Sequence, residues 1–325
     1  LTAKQEEKST LAGRVIKSTG SYYTVETNAA TFQCRIRGKL RLKGIKSTNP
    51  VAVGDWVSLK PQQDEPGQAL ITGLKERRNY IIRKSVNLSK QTQIIAANID
   101  LAMLIATLDF PQTHQRFIDR FTVTAEAYSI PVAVVFNKID LYSAAMLDEL
   151  EFLTYMYLDA GYKVLHTSAT EPAGMEDLEE LLKDRTTLLS GHSGVGKSTL
   201  INQMEPGLEL RTNQISESHT QGRHTTTFAE MFDLKNGGKI IDTPGIKGFG
   251  LVEMEPEEIG DYFPEILALK KECKFNNCRH LQEPGCAVKA AVEDGKFAYP
   301  RFESYLSFVQ GTDEEEHFRK DIYAK

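Results

Sequence analysis

Gly191-His192-Ser193-Gly194-Val195-Gly196-Lys197-Ser198-Thr199 holds the spacing G-x-x-x-x-G-K-[ST] from Gly191 to Ser198, and its reading decides the fold. An apolar run, Thr187-Leu188-Leu189, stands before it as a strand, and Thr199-Leu200-Ile201 opens a helix after it. A glycine-rich loop between strand and helix points backbone N–H groups and a helix N-terminus at one anion. Gly194 and Gly196 let the backbone approach phosphate oxygens, with Ser193 and Val195 between them in the cradle. Lys197 is expected to reach the β- and γ-phosphates, Ser198 to hold Mg²⁺, and Thr199 to follow at the helix start. The chain is expected to bind a nucleoside triphosphate.

Asn137-Lys138-Ile139-Asp140 follows the apolar run Pro131 to Phe136, which reads as a buried parallel strand. A carboxylate at Asp140 can accept from both N1–H and the N2 amino group of guanine. Adenine offers neither donor, so the carboxylate would go unpaired, and the base is read as guanine. Asn137 is expected to pin the loop and contact the base, with the Lys138 stem along the ring. Thr167-Ser168-Ala169 reads as an accessory guanine loop. Asp242-Thr243-Pro244-Gly245, after Lys239-Ile240-Ile241, is expected to supply the Mg²⁺-side carboxylate from Asp242 and a γ-phosphate-sensing N–H from Gly245. In ordinary GTPases the phosphate loop precedes the guanine loops; here it follows them. A circularly permuted α/β sheet accommodates that order, since loop connections tolerate rewiring.

Composition bounds the rest. The chain has 325 residues, 41% of them hydrophobic and 26% charged, enough for cores in two or three domains. A net charge of −5 announces no nucleic-acid partner, so any such contact must be local. No apolar run approaches the roughly 18–20 residues of a membrane span, and no signal peptide is visible, although the start at Leu1 leaves room for residues ahead of it. Four cysteines argue against a disulfide scaffold, so a reducing cytoplasm is expected.

Residues 11–74 carry short β-rich runs separated by turns and read as a small barrel of the oligonucleotide-binding (OB-fold) type. Arg35, Arg37, Lys39, Arg41 and Lys43 recur at every second residue. An extended Cys34–Leu42 would project all five from one face, with Tyr22, Tyr23 and Phe32 nearby. That basic stripe is expected to contact RNA. Residues 75–84 read as a basic linker. Helical spacing marks 115–128, 146–158 and 173–183, and the methionines and aromatics of the last two are expected in the core.

Ser216 to Thr227 has no apolar period and reads as switch I. Thr226, or alternatively Thr225, is expected to ligate Mg²⁺. Ile246 stands where a water-orienting glutamine is common, so unaided hydrolysis is expected to be slow. His224, ahead of His192, is the candidate for positioning the water. Cys273-x4-Cys278-x-His280-x5-Cys286 is a Cys₃His set suited to a closed structural Zn²⁺ site, and Pro284-Gly285 supplies a turn toward Cys286. Cys34 is expected to be a buried free thiol, residues 301–309 a helix, and 313–316 a solvated acidic tail.

Taken together, Arg37-Gly38-Lys39-Leu40-Arg41, the Asn-Lys-Ile-Asp loop, the later phosphate loop, Gly222-Arg223-His224-Thr225-Thr226-Thr227, Asp-Thr-Pro-Gly and the Cys₃His loop closely resemble the bacterial ribosome-small-subunit-dependent GTPase A family (RsgA, also YjeQ or YloQ). The resemblance implies three parts: an OB-fold barrel over 1–76, a circularly permuted GTPase domain over 77–250, and a mainly helical zinc-binding domain over 251–325. It implies GTP and GDP, Mg²⁺ and one structural Zn²⁺ as ligands. It also implies late maturation of the 30S subunit through contact with 16S rRNA, GTP hydrolysis stimulated by that subunit, a monomer, and catalytic work for His224. A nucleotide-gated binding module without functional hydrolysis, and a zinc-delivery GTPase, are the competing readings.

Overall fold

The computed structural model describes residues 10–36, 50–84, 92–171, 173–208, 229–243 and 254–312. Its first five strands are β1 (Leu11–Ser18), β2 (Tyr23–Glu26), β3 (Thr31–Ile36), β4 (Trp56–Pro61) and β5 (Gln68–Leu74). They close in the order β1-β2-β3-β5-β4-β1, antiparallel throughout except for the parallel pair β3–β5. Alternate residues point inward, so Val15, Tyr23, Val25, Cys34, Val57, Leu59, Ala69 and Ile71 fill the barrel. The Cys34 thiol is free and buried, and burial pushes it up to about 11. Within 11–74 the runs at 13–16, 22–25, 31–36 and 57–59 read as strands from sequence, whereas β5 does not. Ala69-Leu70-Ile71 is a three-residue apolar run with no alternation of residue type, and the strand's place is set by pairing with β3 and β4.

The expected linker over 75–84 is instead structured. Tyr80–Lys84 (β6) pairs antiparallel with Thr92–Ala97 (β7). Arg77 Nε and Nη2 grip the fully buried Asp55 carboxylate at 2.7 and 2.6 Å, and Arg77 Nη2 also donates to the Pro50 carbonyl at 2.8 Å. Arg78 pairs with Asp100 at 2.6 Å. Local charge suggested a solvated tether, but long-range carboxylates take up two of its arginines.

The central sheet uses β8 (Leu101–Ala106), β9 (Val132–Asn137), β10 (Lys163–Thr167), β11 (Thr186–Ser190), β12 (Glu230–Asp233) and β13 (Lys239–Asp242). Its order is β10-β9-β8-β11-β13-β12, parallel except for the antiparallel edge β12. The two faces are apolar on alternating residues, which explains why these strands read as continuous hydrophobic runs. Ala102, Leu104, Val134, Phe136 and Leu188 meet helices α1 (Gln115–Ala127) and α2 (Ala144–Asp159). Met103, Ile105, Val135 and Leu189 meet α3 (Met175–Leu182) and α4 (Lys197–Met204) on the other face. The result is a three-layer α/β domain.

Methionines and aromatics of α2 and α3 were expected in the core, and the structure corrects this for two of them. Phe152 and Tyr155 of α2 are 51% and 65% exposed, while Met156 and Tyr157 are buried. Overall hydrophobicity gives α2 no single apolar face, so its outer side is apolar as well.

The C-terminal body holds α5 (Pro264–Leu269), α6 (Ala287–Glu293) and α7 (Tyr299–Gln310) around Phe263, Ile266, Phe297, Phe302, Tyr305 and Phe308, and it also packs against Val123 of α1. Arg301 of α7 is fully buried at this junction. Its Nη1 donates to Asp119 at 2.8 Å and to Thr122 at 3.2 Å, and its Nε and Nη2 donate to Glu265 at 2.8 and 2.9 Å. At the other boundary, β1 pairs antiparallel with β12, and Lys17 Nζ lies 2.9 Å from a Glu230 carboxylate oxygen. Barrel and central sheet are thereby one continuous sheet.

Candidate nucleotide-binding site and metal centre

The phosphate loop runs from the end of β11 into α4. Gly191, Gly194 and Gly196 have φ of +141°, +89° and +96°. A Cβ on Gly191 would stand 2.3 Å from the Ile105 carbonyl oxygen, and one on Gly196 would stand 2.4 Å from Asn137 Nδ2. Conformation and space both require glycine at those two positions. Ser193 and Gly194 face outward, Val195 is buried, and Thr199 is exposed at the start of α4. Lys197 Nζ spans the loop, donating to the carbonyls of Gly191 at 2.6 Å and His192 at 2.7 Å. Two of its three protons are thus spent on the loop, leaving one for an anion in the cradle. Burial pulls Lys197 below its ordinary value against the pull of Asp242, and burial raises Asp242 against the pull of Lys197. An anion bearing a divalent cation would relieve both. Ser198 lies in the first turn of α4, and Asp242 closes β13, which pairs with β11 as Leu189↔Asp242. The His192 ring packs against Phe117, with centroids 4.1 Å apart.

The guanine loops come to the same end of the sheet. Asn137 is fully buried: its Nδ2 donates to the Val195 carbonyl at 2.8 Å, and its Oδ1 accepts from the Thr167 hydroxyl at 3.1 Å. One side chain therefore ties the two guanine loops to the phosphate loop. Lys138 has φ of +64°, and its ammonium donates to the Phe110 carbonyl. Asp140 accepts from the Ser168 hydroxyl at Oδ1, 2.7 Å, and from the Thr170 hydroxyl at Oδ2, 2.8 Å. The Ser168 hydrogen bond, with that of Thr170 behind it, holds the Asp140 carboxyl below the usual range despite some desolvation. Each oxygen keeps acceptor capacity for the paired donors of guanine. Ala169 lies between the two hydroxyl residues. Thr170 and Tyr142, whose hydroxyl donates to the Asn137 carbonyl at 2.8 Å, were missed from sequence because they belong to no motif.

The metal-ligand set is also assembled. The donor atoms of Cys273, Cys278, His280 and Cys286 all lie within 4.8 Å of one another. His280 Nδ1 is 3.6 Å from Cys273 Sγ and 3.3 Å from Cys286 Sγ. Tetrahedral Zn²⁺ with ordinary bond lengths separates such ligands by roughly 3.6–3.8 Å, so the residues fit it. Burial lowers His280, raises Cys286, and pushes Cys278 up to about 12. The Glu283 carboxylate holds the loop by accepting from the backbone N–H groups of Arg279 and Leu281, both at 2.9 Å, and of Gln282 at 3.1 Å.

Of the expected basic stripe, Arg35 is described. It is exposed on β3 and stacks over the Tyr22 ring, 4.5 Å from its centroid. Arg37, Lys39, Arg41 and Lys43 lie outside the described residues, as do His224, Thr225, Thr226, Gly245 and Ile246.

Comparison with known proteins agrees with this arrangement. A family model described as RsgA GTPase matches residues 74–252, and one described as RsgA N-terminal domain matches residues 12–69. A small ribosomal subunit biogenesis GTPase RsgA of Flavobacterium psychrophilum is 56% identical over 315 residues, 96% of each chain. The protein of the same name from Bacteroides fragilis is 52% identical over 94% of this chain and 98% of its own. The crystal structure of YjeQ from Thermotoga maritima superposes with a TM-score of 0.76 at 33% identity, covering 93% of this chain and 98% of that one. YloQ, a circularly permuted GTPase, gives 0.71 at 29% identity over 94% and 96%. By these matches, and by a phosphate loop that follows its guanine loops in the sequence yet meets them in space, the chain belongs to the RsgA GTPase family.

Proposed function

We propose that the chain hydrolyses GTP to GDP and phosphate on the small ribosomal subunit, late in its assembly, with hydrolysis stimulated by the subunit. The observation that carries this is the Asn137 bridge from the guanine loops to Val195 of the phosphate loop, which makes base recognition and phosphate binding one site. The printed names of the relatives, small ribosomal subunit biogenesis GTPases, supply the target.

The cradle from Gly191 to Thr199 takes the phosphates, Lys197 offers its remaining proton to the β- and γ-phosphates, and Asp140 selects guanine. Ser198 and Asp242, joined by Thr226, would hold Mg²⁺, which neutralises developing charge on the phosphates when bound. Gly245 would sense the γ-phosphate, and His224 would orient the attacking water in place of Ile246. Arg35 with its Tyr22 stack, continued by Arg37, Lys39, Arg41 and Lys43, is the RNA face, aimed at 16S rRNA. The Cys₃His loop would hold one structural Zn²⁺. Division into 1–76, 77–250 and 251–325 is supported for the first two parts by family-model matches over 12–69 and 74–252 and for the third by a separate helical core around the Cys₃His loop. The work is that of a cytoplasmic monomer; among the described residues no helix is long and apolar enough to cross a membrane.

The test is steady-state GTP turnover with and without purified 30S subunits. A rise of at least about tenfold is expected, since a single partner-supplied catalytic group in related GTPases is worth about 10³–10⁵ in rate. Equal rates would overturn the reading. His224→Ala should abolish the stimulated rate while GTP binding persists; a retained rate removes that residue from the mechanism.

A further inference from the structure

Helix α2 is apolar on both sides. Its inner face, Leu150, Leu153, Met156 and Tyr157, is buried against the sheet. Its outer face carries Leu147, Tyr155 and Leu158, at 47%, 65% and 48% exposure, on one helical stripe that Glu151 interrupts. Phe152, 51% exposed, flanks the stripe, and Leu141, 54% exposed, stands just before the helix. Five of the twelve large apolar side chains that are exposed among the described residues therefore belong to one stretch of 18 residues, 141–158. Scattered surface apolar residues need no explanation, but a contiguous patch marks a place where something binds.

Charge narrows the occupant. The helix contains Asp148, Glu149, Glu151 and Asp159 and no lysine or arginine. Glu151 lies within the apolar stripe, Asp159 one turn after Tyr155, and Asp148 two turns before it on the same side, all of them exposed. None of the four pairs with a cation among the described residues. This face repels phosphate, so it does not continue the RNA-binding surface. A second copy of the chain would bring like charge against like charge. A protein segment with apolar side chains flanked by lysine or arginine complements it on both counts. We propose that the outer face of α2 docks such a basic segment of a small-subunit protein, which rests on the reading that the chain works on that subunit. Helix α2 begins four residues after the proposed guanine-recognising Asp140, so the N-terminal end of this face lies near the base loop.

Replacing Tyr155 with photoreactive benzoylphenylalanine in the full chain, then irradiating it with purified 30S subunits and a non-hydrolysable GTP analogue, reads what lies against the face. The expected product is an adduct to one lysine- or arginine-rich ribosomal protein, reduced when Glu151→Lys is added. If the chain binds the subunit but its adduct is to 16S rRNA or to a second copy, or no adduct forms, the docking proposal is overturned and the functional reading survives. If the unsubstituted chain does not sediment with the subunit at all, both fall. Combining Leu147→Ser, Tyr155→Ser and Leu158→Ser removes only exposed side chains. It should weaken subunit binding about tenfold or more with GTP affinity unchanged, as loss of interface anchors does. Unchanged subunit affinity in that variant also overturns the proposal.

Discussion

Asp140 shows how little of a specificity residue lies in its own side chain. Ser168 and Thr170 hold one oxygen each, so the carboxylate is fixed in one plane, in which the proposed guanine contact would be made. Xanthine replaces the guanine N2 amino group with a carbonyl, and an asparagine amide pairs with N1–H and that carbonyl where the carboxylate cannot. Asp140→Asn should therefore lower GTP affinity by about 100-fold or more and raise that for xanthosine triphosphate, read by competition binding of the two nucleotides. Acid should not imitate that variant near neutrality. The native carboxyl lies below its ordinary value, so its contribution is present above the unfolded-state pKa and is lost only as pH falls through the depressed folded value. Asp140 and Asn137 were legible in the sequence because their spacing follows a strand. That Asn137 closes on Val195 was not, since 58 residues separate the partners.

At the level of elements, the zinc loop offers the clearest experiment. Zinc would be bound by thiolates, and burial raises Cys278 and Cys286, so loading would displace protons. Metal analysis should find one zinc per chain, retained more weakly as pH falls below neutrality. A strong chelator should lower the melting temperature of the C-terminal helices, and Cys286→Ser should do the same without chelator. The loop was legible because four ligands within fourteen residues need no tertiary information. The parallel strands were legible for a related reason: burial on two faces leaves long apolar runs. Strand β5, by contrast, has a weak local pattern and depends on β3 and β4 for its pairing. Helix α2 misled in the opposite sense. Periodicity identified its inner face, but hydrophobicity alone could not tell a second apolar face from core.

Across the whole molecule, Arg301 decides how the C-terminal body meets the GTPase domain. It reaches Asp119 and Thr122 on α1 and Glu265 on α5, and its guanidinium lies 4.9 Å from the Phe263 ring centroid and 5.5–5.6 Å from those of Tyr157 and Tyr162. A methionine there keeps the volume but leaves Asp119 buried without its cation, a change that costs about 3–5 kcal/mol. Arg301→Met should lower the denaturant midpoint and expose the junction to proteolysis ahead of the central sheet; coincident, unshifted transitions would show that the pair is dispensable. Sequence inspection gave no hint of this residue, because an arginine on a short helix ordinarily faces water.

The strand order carries a consequence for the chain's own synthesis. β8, β9 and β10, with both proposed guanine loops, leave the translating ribosome before β11, which must add to the β8 edge, and β13, which must add to β11, to complete the cradle. Until that happens, the growing polypeptide has base-selecting residues but nothing to grip a triphosphate. A nascent copy therefore cannot hold a guanine nucleotide until the chain through Asp242 has emerged, well after both base loops.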